Sequence, residues 1–313
     1  MFFFVGLARA ATLSTPAIAD TTMFSEDPDL SNGAGPVIHA GTNSNGDVRR
    51  AMLRFDLSGI PAGAVVTDVT VRLVVDQAGG PGLPTDLSLH PVVRGWDQAG
   101  SSTGSGSGAP AQLGDATWGW AVWATEPWTT PGGDMGPASA TTSVAGVGPY
   151  EWSGPGLVAD LQAVVDGGPN HGWLLRVDDE LTTQSAKRFP SSEAALDAPL
   201  LEVTYTPGPL GLTPPGPGVA GVDNTVVASA AAPGGNVVLV AGGAAGAVPV
   251  PGCPGVTLGV ANPQILGVVA ADPSGDATFV RLVPAALSGA SVLLQAVQPS
   301  TCAASPVVIT QLQ

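Results

Sequence analysis

Hydrophobic and polar residues alternate along much of this chain with a period of two. Ala51, Leu53, Phe55 and Leu57 form one row, and Arg50, Met52, Arg54 and Asp56 form the other. Such alternation predicts a half-buried strand. After the turn Pro61-Ala62-Gly63, the residues Val65, Thr67, Val69, Val71, Leu73 and Val75 supply the inward row of a second strand. Residues 87–93 make a third, set off by the loop Gly79-Gly80-Pro81-Gly82. Leu157, Val158, Leu161, Val164 and Val165 recur at helical spacing instead. Ser153 or Gly154 can cap that helix, Pro155 suits its first turn, and Gly167-Gly168 ends it. Strands resume at residues 173–177, 186–189 and 200–205.

Two segments break the pattern. Residues 99–109 are a Gly/Ser tract expected to be flexible and exposed, and they lead into a stretch with Trp118, Trp120, Trp123 and Trp128. Residues 207–218 (PGPLGLTPPGPG) read as an extended linker. Beyond the linker, seven short apolar strands are predicted in about 90 residues, enough for a small β-sandwich. With 43 Gly and 30 Pro in 313 residues, turn-formers are too frequent for long helices. The expected fold is all-β. Two β-sandwich modules, the first jelly-roll-like with one short helix, occupy residues 20–206 and 219–313, joined by the Pro/Gly linker.

Residues 1–19 read as a secretory signal peptide. Phe2-Phe3-Phe4-Val5 opens an apolar run, and Ala17-Ile18-Ala19 before Asp20 fits a small-x-small cleavage pattern. No later 18-residue apolar stretch predicts a membrane-spanning helix. The only cysteines, Cys253 and Cys302, lie in the second module, where no histidine follows His171 to complete a metal site, so they predict a disulfide. Export to a secreted, extracellular location accounts for both features.

The formal net charge is −15. From Asp20 to Tyr205 there are 22 acidic residues against 8 basic ones, and no basic stripe interleaves with the aromatics. That balance argues against nucleic acid as a partner and suits divalent cations.

Ordered landmarks tie residues 20–207 to a known family. They are Asp20-Thr21-Thr22, Asn32-Gly33, RRAMLRFDLSGIPAG from Arg49, Trp96-Asp97, DATW from Asp115 and WTTPGGD from Trp128. GLVADLQAVVD from Gly156, GWLLRVDDE from Gly172, AKRFPSSE from Ala186 and PLLEVTYTP from Pro199 follow in order. With them the segment resembles the DNRLRE-domain family, a β-sandwich of secreted microbial proteins counted among carbohydrate-binding modules. The hexapeptide that names the family is not present, and Asp178-Asp179-Glu180 stands before the last strands. The resemblance implies polysaccharide binding or a surface-structural role, and no catalysis. The second module is similar to small C-terminal β-modules of secreted bacterial proteins, through VPGCPG from Val248-Pro249, LQAV from Leu294, and Cys302.

Candidate chemistry is sparse. There is no G-x-S-x-G elbow, and the three histidines, His39, His90 and His171, are dispersed. Trp96, Trp120 and Trp123 can stack on sugar rings, or they can plug a long loop against the sandwich; Trp118 and Trp128 fit the plugging role. Arg49, Arg50, Lys187 and Arg188 can clamp carboxylated sugars, or they can pair internally with Asp56 or Glu193. Asp27, Asp29, Asp178 and Asp179 are candidates for Ca²⁺, for acid–base work or for plain solvated charge. The expected function is that of a secreted, non-catalytic polysaccharide-binding protein. The alternative is a structural or adhesive protein of the cell surface or extracellular matrix without a specific glycan ligand.

Overall fold

The computed structural model describes residues 10–313 apart from residues 81, 83 and 105. Residues 1–9 of the expected leader, Pro81 of the first loop and Ser105 of the Gly/Ser tract therefore lie outside the described residues. The chain is all-β, with antiparallel sheets and a single α-helix among those residues.

The strand Ala11–Phe24 serves two sheets. Its first half pairs with Leu200–Thr206, and after an irregularity between Ala17 and Ala19 its second half pairs with Val48–Phe55. One layer continues from Leu200–Thr206 through Val65–Val75 to Gly148–Ser153. The other continues from Val48–Phe55 through Trp173–Val177 and Thr85–Pro91 to Ala140–Val144. Leu53, Phe55, Leu87, Leu89, Trp173 and Leu175 pack with Val69, Val71, Leu73, Val75, Leu201 and Val203 in one core. Each such side chain removed from water contributes roughly 1.5–3 kcal/mol.

The expected leader boundary after Ala19 falls inside the strand Ala11–Phe24. In that strand Ala17 and Ala19 are buried while Ile18 is exposed. The inward row of the second strand is also corrected. A register shift at Thr204/Tyr205 sets Val66, not Val65, against Tyr205, because a bulge near Thr67 inserts one residue and moves the row by one. The helix spans Pro155–Val165 with Leu157 and Leu161 buried, and Gly167, at φ 101°, follows its end. Gln162 ties it to the sheet by accepting from the Val66 N–H and donating to the Ala64 carbonyl.

Met52, expected on a solvent-facing row, is fully buried. The Trp-rich segment folds over the outer face of its sheet and packs Ala116, Ala121 and Trp128 with Met23, Met52 and Leu174. The Gly/Ser tract beside that segment is held rather than free. Ser101 is buried, its hydroxyl accepts the Gly33 N–H, and the Asp115 carboxylate accepts the N–H groups of Ala99, Ser101 and Gln112.

Strands after residue 210 share no sheet with those before it among the described residues, and their buried clusters are separate. Gly211–Leu212, Asp223–Ser229 and Ala277–Leu282 form one sheet. Gln264–Ala270, Asn236–Gly242 and Ser291–Gln298 form another, which Val308–Gln311 extends. Val226, Phe279, Leu239 and Leu294 lie in the core they share. The expected linker is shorter than its sequence suggests. Leu210 is buried in this core, Gly211–Leu212 pairs with Asp223–Ser229, and Gly216 bridges Thr225. Proline and glycine there shape an edge strand rather than a spacer. On the far side of the second sheet, the hairpin Ala245–Pro249/Thr257–Val260 is pinned by the Cys253–Cys302 disulfide. No helix among the described residues is long and apolar enough to cross a membrane.

Candidate functional site

Each basic candidate has been drawn into internal structure. Arg49 and Arg50 are neighbours on Val48–Phe55 and project to opposite faces. Arg49 forms a two-pronged pair with Glu26 at 2.6 and 2.7 Å and lies 5.0 Å from the centre of the Phe24 ring. Arg50 grips Glu180 at 2.8 and 2.9 Å, donates to the Gly132 carbonyl and stacks 4.7 Å over Trp118. Arg188 pairs with Asp76 at 2.8 and 3.1 Å. Lys187 is buried, and burial pulls its ammonium below the ordinary lysine range. The expected basic clamp is thus corrected for Arg49, Arg50 and Arg188, which answer acids of their own module, and the acids are Glu26, Glu180 and Asp76 rather than Asp56 or Glu193.

The tryptophans divide. Trp96 is buried, donates to the His171 carbonyl at 2.7 Å and lies under Arg54, which removes it from the sugar-stacking candidates. Trp128 is buried and donates to the Thr117 carbonyl. Trp120 and Trp123 are half-buried. Trp120 sits in the strand Trp120–Val122, and the Trp123 indole N–H donates to Asp29 Oδ1 at 3.1 Å. Both are partly accessible to solvent.

The four aspartates proposed for calcium are not brought together. Asp27 accepts the Asp29 N–H, Asp29 accepts from Trp123, and Asp179 accepts from the Leu181 N–H and the Thr182 hydroxyl. Those hydrogen bonds hold the Asp179 carboxyl below its ordinary value. Asp178 is exposed. Among the described residues no three His, Cys, Asp or Glu side chains gather in a metal-binding group.

A concave surface lies beside the Trp-rich segment, where sequence reasoning placed no candidate. Val93, Arg94, Thr129, Thr130, Asp134 and Met135 line an open cleft of about 660 Å³. Its floor is ordered by Asp134, which accepts the backbone N–H groups of Thr129 and Thr130 at 3.1 and 2.9 Å and faces Arg94 at 3.5 Å. Burial opposes ionisation of Asp134, but these donors outweigh it and hold the carboxyl below its usual range. Arg94 is loosely paired and 39% exposed, its Nη1 donating at 3.4 Å to the Thr129 hydroxyl and at 3.5 Å to Asp134. The WTTPGGD landmark marks this loop in the sequence, but nothing in it announces that Val93-Arg94 forms the opposite wall.

His39 is buried beneath the Gly/Ser tract with no partner for Nδ1. Burial, and then the charges of Arg188 and Arg49, push its pKa down to about 4 against a weaker opposing effect of Asp76. In the unfolded chain this histidine takes up its proton near pH 6.5, before the folded form does. Its contribution is therefore intact above pH 6.5 and is lost as the pH falls toward 4, on the order of 3 kcal/mol in total. Denaturant unfolding of the wild type and His39→Gln across that window checks this: the stability difference between them should change with pH in that direction. Asp20, raised to about 7 chiefly by burial, runs the opposite way across the same range, so the difference between the two proteins isolates His39. A difference that stays constant from pH 4 to 7 refutes the assignment.

No family model matches this chain, and no curated protein matches it. Among solved structures, the adhesin domain of Epf from Streptococcus pyogenes is similar at 9% identity and a TM-score of 0.29, over 98% of this chain and 96% of that one. The N-terminal domain of the Streptococcus gordonii adhesin Sgo0707 is similar at 11% identity and a TM-score of 0.17, over 85% of this chain and 60% of that one. At those scores neither likeness carries an argument about what this chain does.

Proposed function

We propose that this chain is an extracellular, non-catalytic adhesive protein of the cell surface or matrix that holds its ligand in the open cleft of its first sandwich. The observation that carries the reading is the cleft itself, wide, of mixed polar and apolar lining and pre-ordered by the hydrogen bonds of Asp134. An open trough suits a polymer lying across it better than a small substrate, which needs to be enclosed. The disulfide supports a site of action in an oxidising compartment. As ligand class we favour an extracellular polysaccharide. Arg94, Thr129 and Thr130 supply donors and acceptors for hydroxyl and carboxylate groups, and the order of landmarks that resembles the DNRLRE-domain family supports the same class.

Affinity electrophoresis through gels containing neutral or acidic polysaccharides tests this. The wild type should be retarded by at least one of them. Arg94→Ala should weaken that retardation about tenfold, as expected for a lost charge-assisted hydrogen bond. Asp134 keeps its two backbone donors in the variant, so folding should be unaffected. Retardation equal in the two proteins removes the cleft from the reading. Unretarded migration in every gel, with retention on cell surfaces or self-association, would leave an adhesive protein without a glycan ligand.

A further inference from the structure

We propose that two copies of this chain associate through the open rim of the second sandwich, with Arg281 of each copy facing Asp223 of the other. The rim is built from Gln264–Ala270 and Ala277–Leu282. The first pairs with Asn236–Gly242 and the second with Asp223–Ser229, and neither has a second strand partner among the described residues. Each is therefore an edge of its sheet. The two edges lie side by side, because the Arg281 guanidinium spans them, donating to the Leu266 carbonyl at 2.6 Å and to the Val280 carbonyl at 2.9 Å. Gly267 leaves room for this, since a Cβ there would collide with the guanidinium. Exposed edges are usually blunted with several charges. Here the two strands expose Ile265, Leu266, Val268, Val280 and Leu282, each 36–68% accessible, and Arg281 is their only charged residue. Apolar side chains gathered on a surface in this way mark an interaction face.

Charge selects the occupant. With 22 acidic residues against 8 basic ones from Asp20 to Tyr205, two copies that meet through their first modules repel. After Thr206 the acids are Asp223, Asp272 and Asp276 and the base is Arg281, so an approach through the second module meets little opposition. That base is also unanswered. Each of the other arginines among the described residues pairs with a carboxylate, whereas Arg281 pairs with none there. Asp223 is exposed and stands opposite Leu282, the residue after Arg281, in the strand register. A twofold axis presents one surface to itself, so a rim with one base and one acid beside the same apolar residues is self-complementary. Arg281 already takes up two carbonyls of the edges, so the contact rests on side chains and not on a continued sheet. The second module thus has a task of its own, independent of the cleft in the first.

Sedimentation velocity of the full chain, from micromolar concentrations to about 0.1 mM, tests the rim across the range of a weak association. The wild type should pass from the mass of one chain to that of two and stop there. Val268→Lys and Leu282→Lys change exposed side chains, so circular dichroism should be unaltered, and each should weaken the dimer about tenfold or more. Asp223→Lys should weaken it likewise, by setting two cations against each other. A wild type that remains a single chain throughout overturns the proposal. So does a dimer that Val268→Lys and Leu282→Lys leave unchanged, which would place the contact elsewhere. An Asp223→Lys dimer as tight as the wild type refutes the pairing with Arg281, and a mass that grows past two chains refutes the twofold.

Discussion

Arg50→Ala should cost the first sandwich about 3 kcal/mol, the lower end of what breaking a buried ion pair costs. The side chain is largely buried and serves three partners at once: both oxygens of Glu180, the Gly132 carbonyl and the face of Trp118. Alanine leaves the Glu180 carboxylate and the Gly132 carbonyl facing a hole. The lower end applies because Arg176, 3.2 Å from Glu180, still offsets part of the lost charge. Denaturant unfolding of Arg50→Ala, Glu180→Ala and the double variant separates the terms. The double variant should lose less than the sum of the single ones, since no charge is then left unpaired. Lysine at position 50 should recover only a part, because one ammonium cannot reproduce a fork that reaches a carboxylate and a carbonyl together. A loss below about 1 kcal/mol for Arg50→Ala would mean a pair worth no more than a surface one, and would return Arg50 to the residues open to an anionic ligand.

This pair also marks where the sequence stops being informative. Strand, face and helix are written in local periodicity, and Ala51, Leu53, Phe55, Leu157 and Leu161 are buried as their spacing predicts. Local pattern does not say what lies on the other face. Met52 and Arg50 share a row that reads as solvent-facing until a loop more than sixty residues later folds over it with Ala116, Ala121 and Trp128. Asp178-Asp179-Glu180 reads as a single acidic run, yet Asp179 closes its own exposed turn while Glu180 lies against Arg50, 130 residues away in sequence. A strand whose small residues face inward and a cleavage pattern both need small side chains at alternate positions, as at Ala17 and Ala19, so local sequence does not separate them. The cleft was illegible for the same reason. Arg94 and Asp134 come from separate segments, brought together by the bridge between Val92 and Met135 and by the Val93 N–H donating to the Asp134 carbonyl.

Where a constraint is covalent, its removal should act locally and strongly. Reducing Cys253–Cys302, or replacing both cysteines by serine, should destabilise the second module by about 4 kcal/mol, the chain-entropy value for a loop of roughly 50 residues. The bridge lies on the side of its sheet away from the core of Val226, Phe279, Leu239 and Leu294, in a smaller cluster with Val240, Val250, Val256, Leu258 and Val297. That cluster is closed by a short hairpin, which without the bridge is held over Val240 and Val297 by apolar contact and by the Gly259 N–H donating to Gln295 Oε1. The effect can be read without ambiguity because all seven tryptophans precede the second module. Tryptophan fluorescence follows the first sandwich, whereas far-ultraviolet circular dichroism follows the strands of both. After reduction, the dichroism should show an earlier loss of strand signal while the fluorescence midpoint stays in place. If both midpoints are unmoved, the bridge is not what holds the second module together. If both fall together, the two modules unfold as one unit and their separate cores do not behave as separate domains.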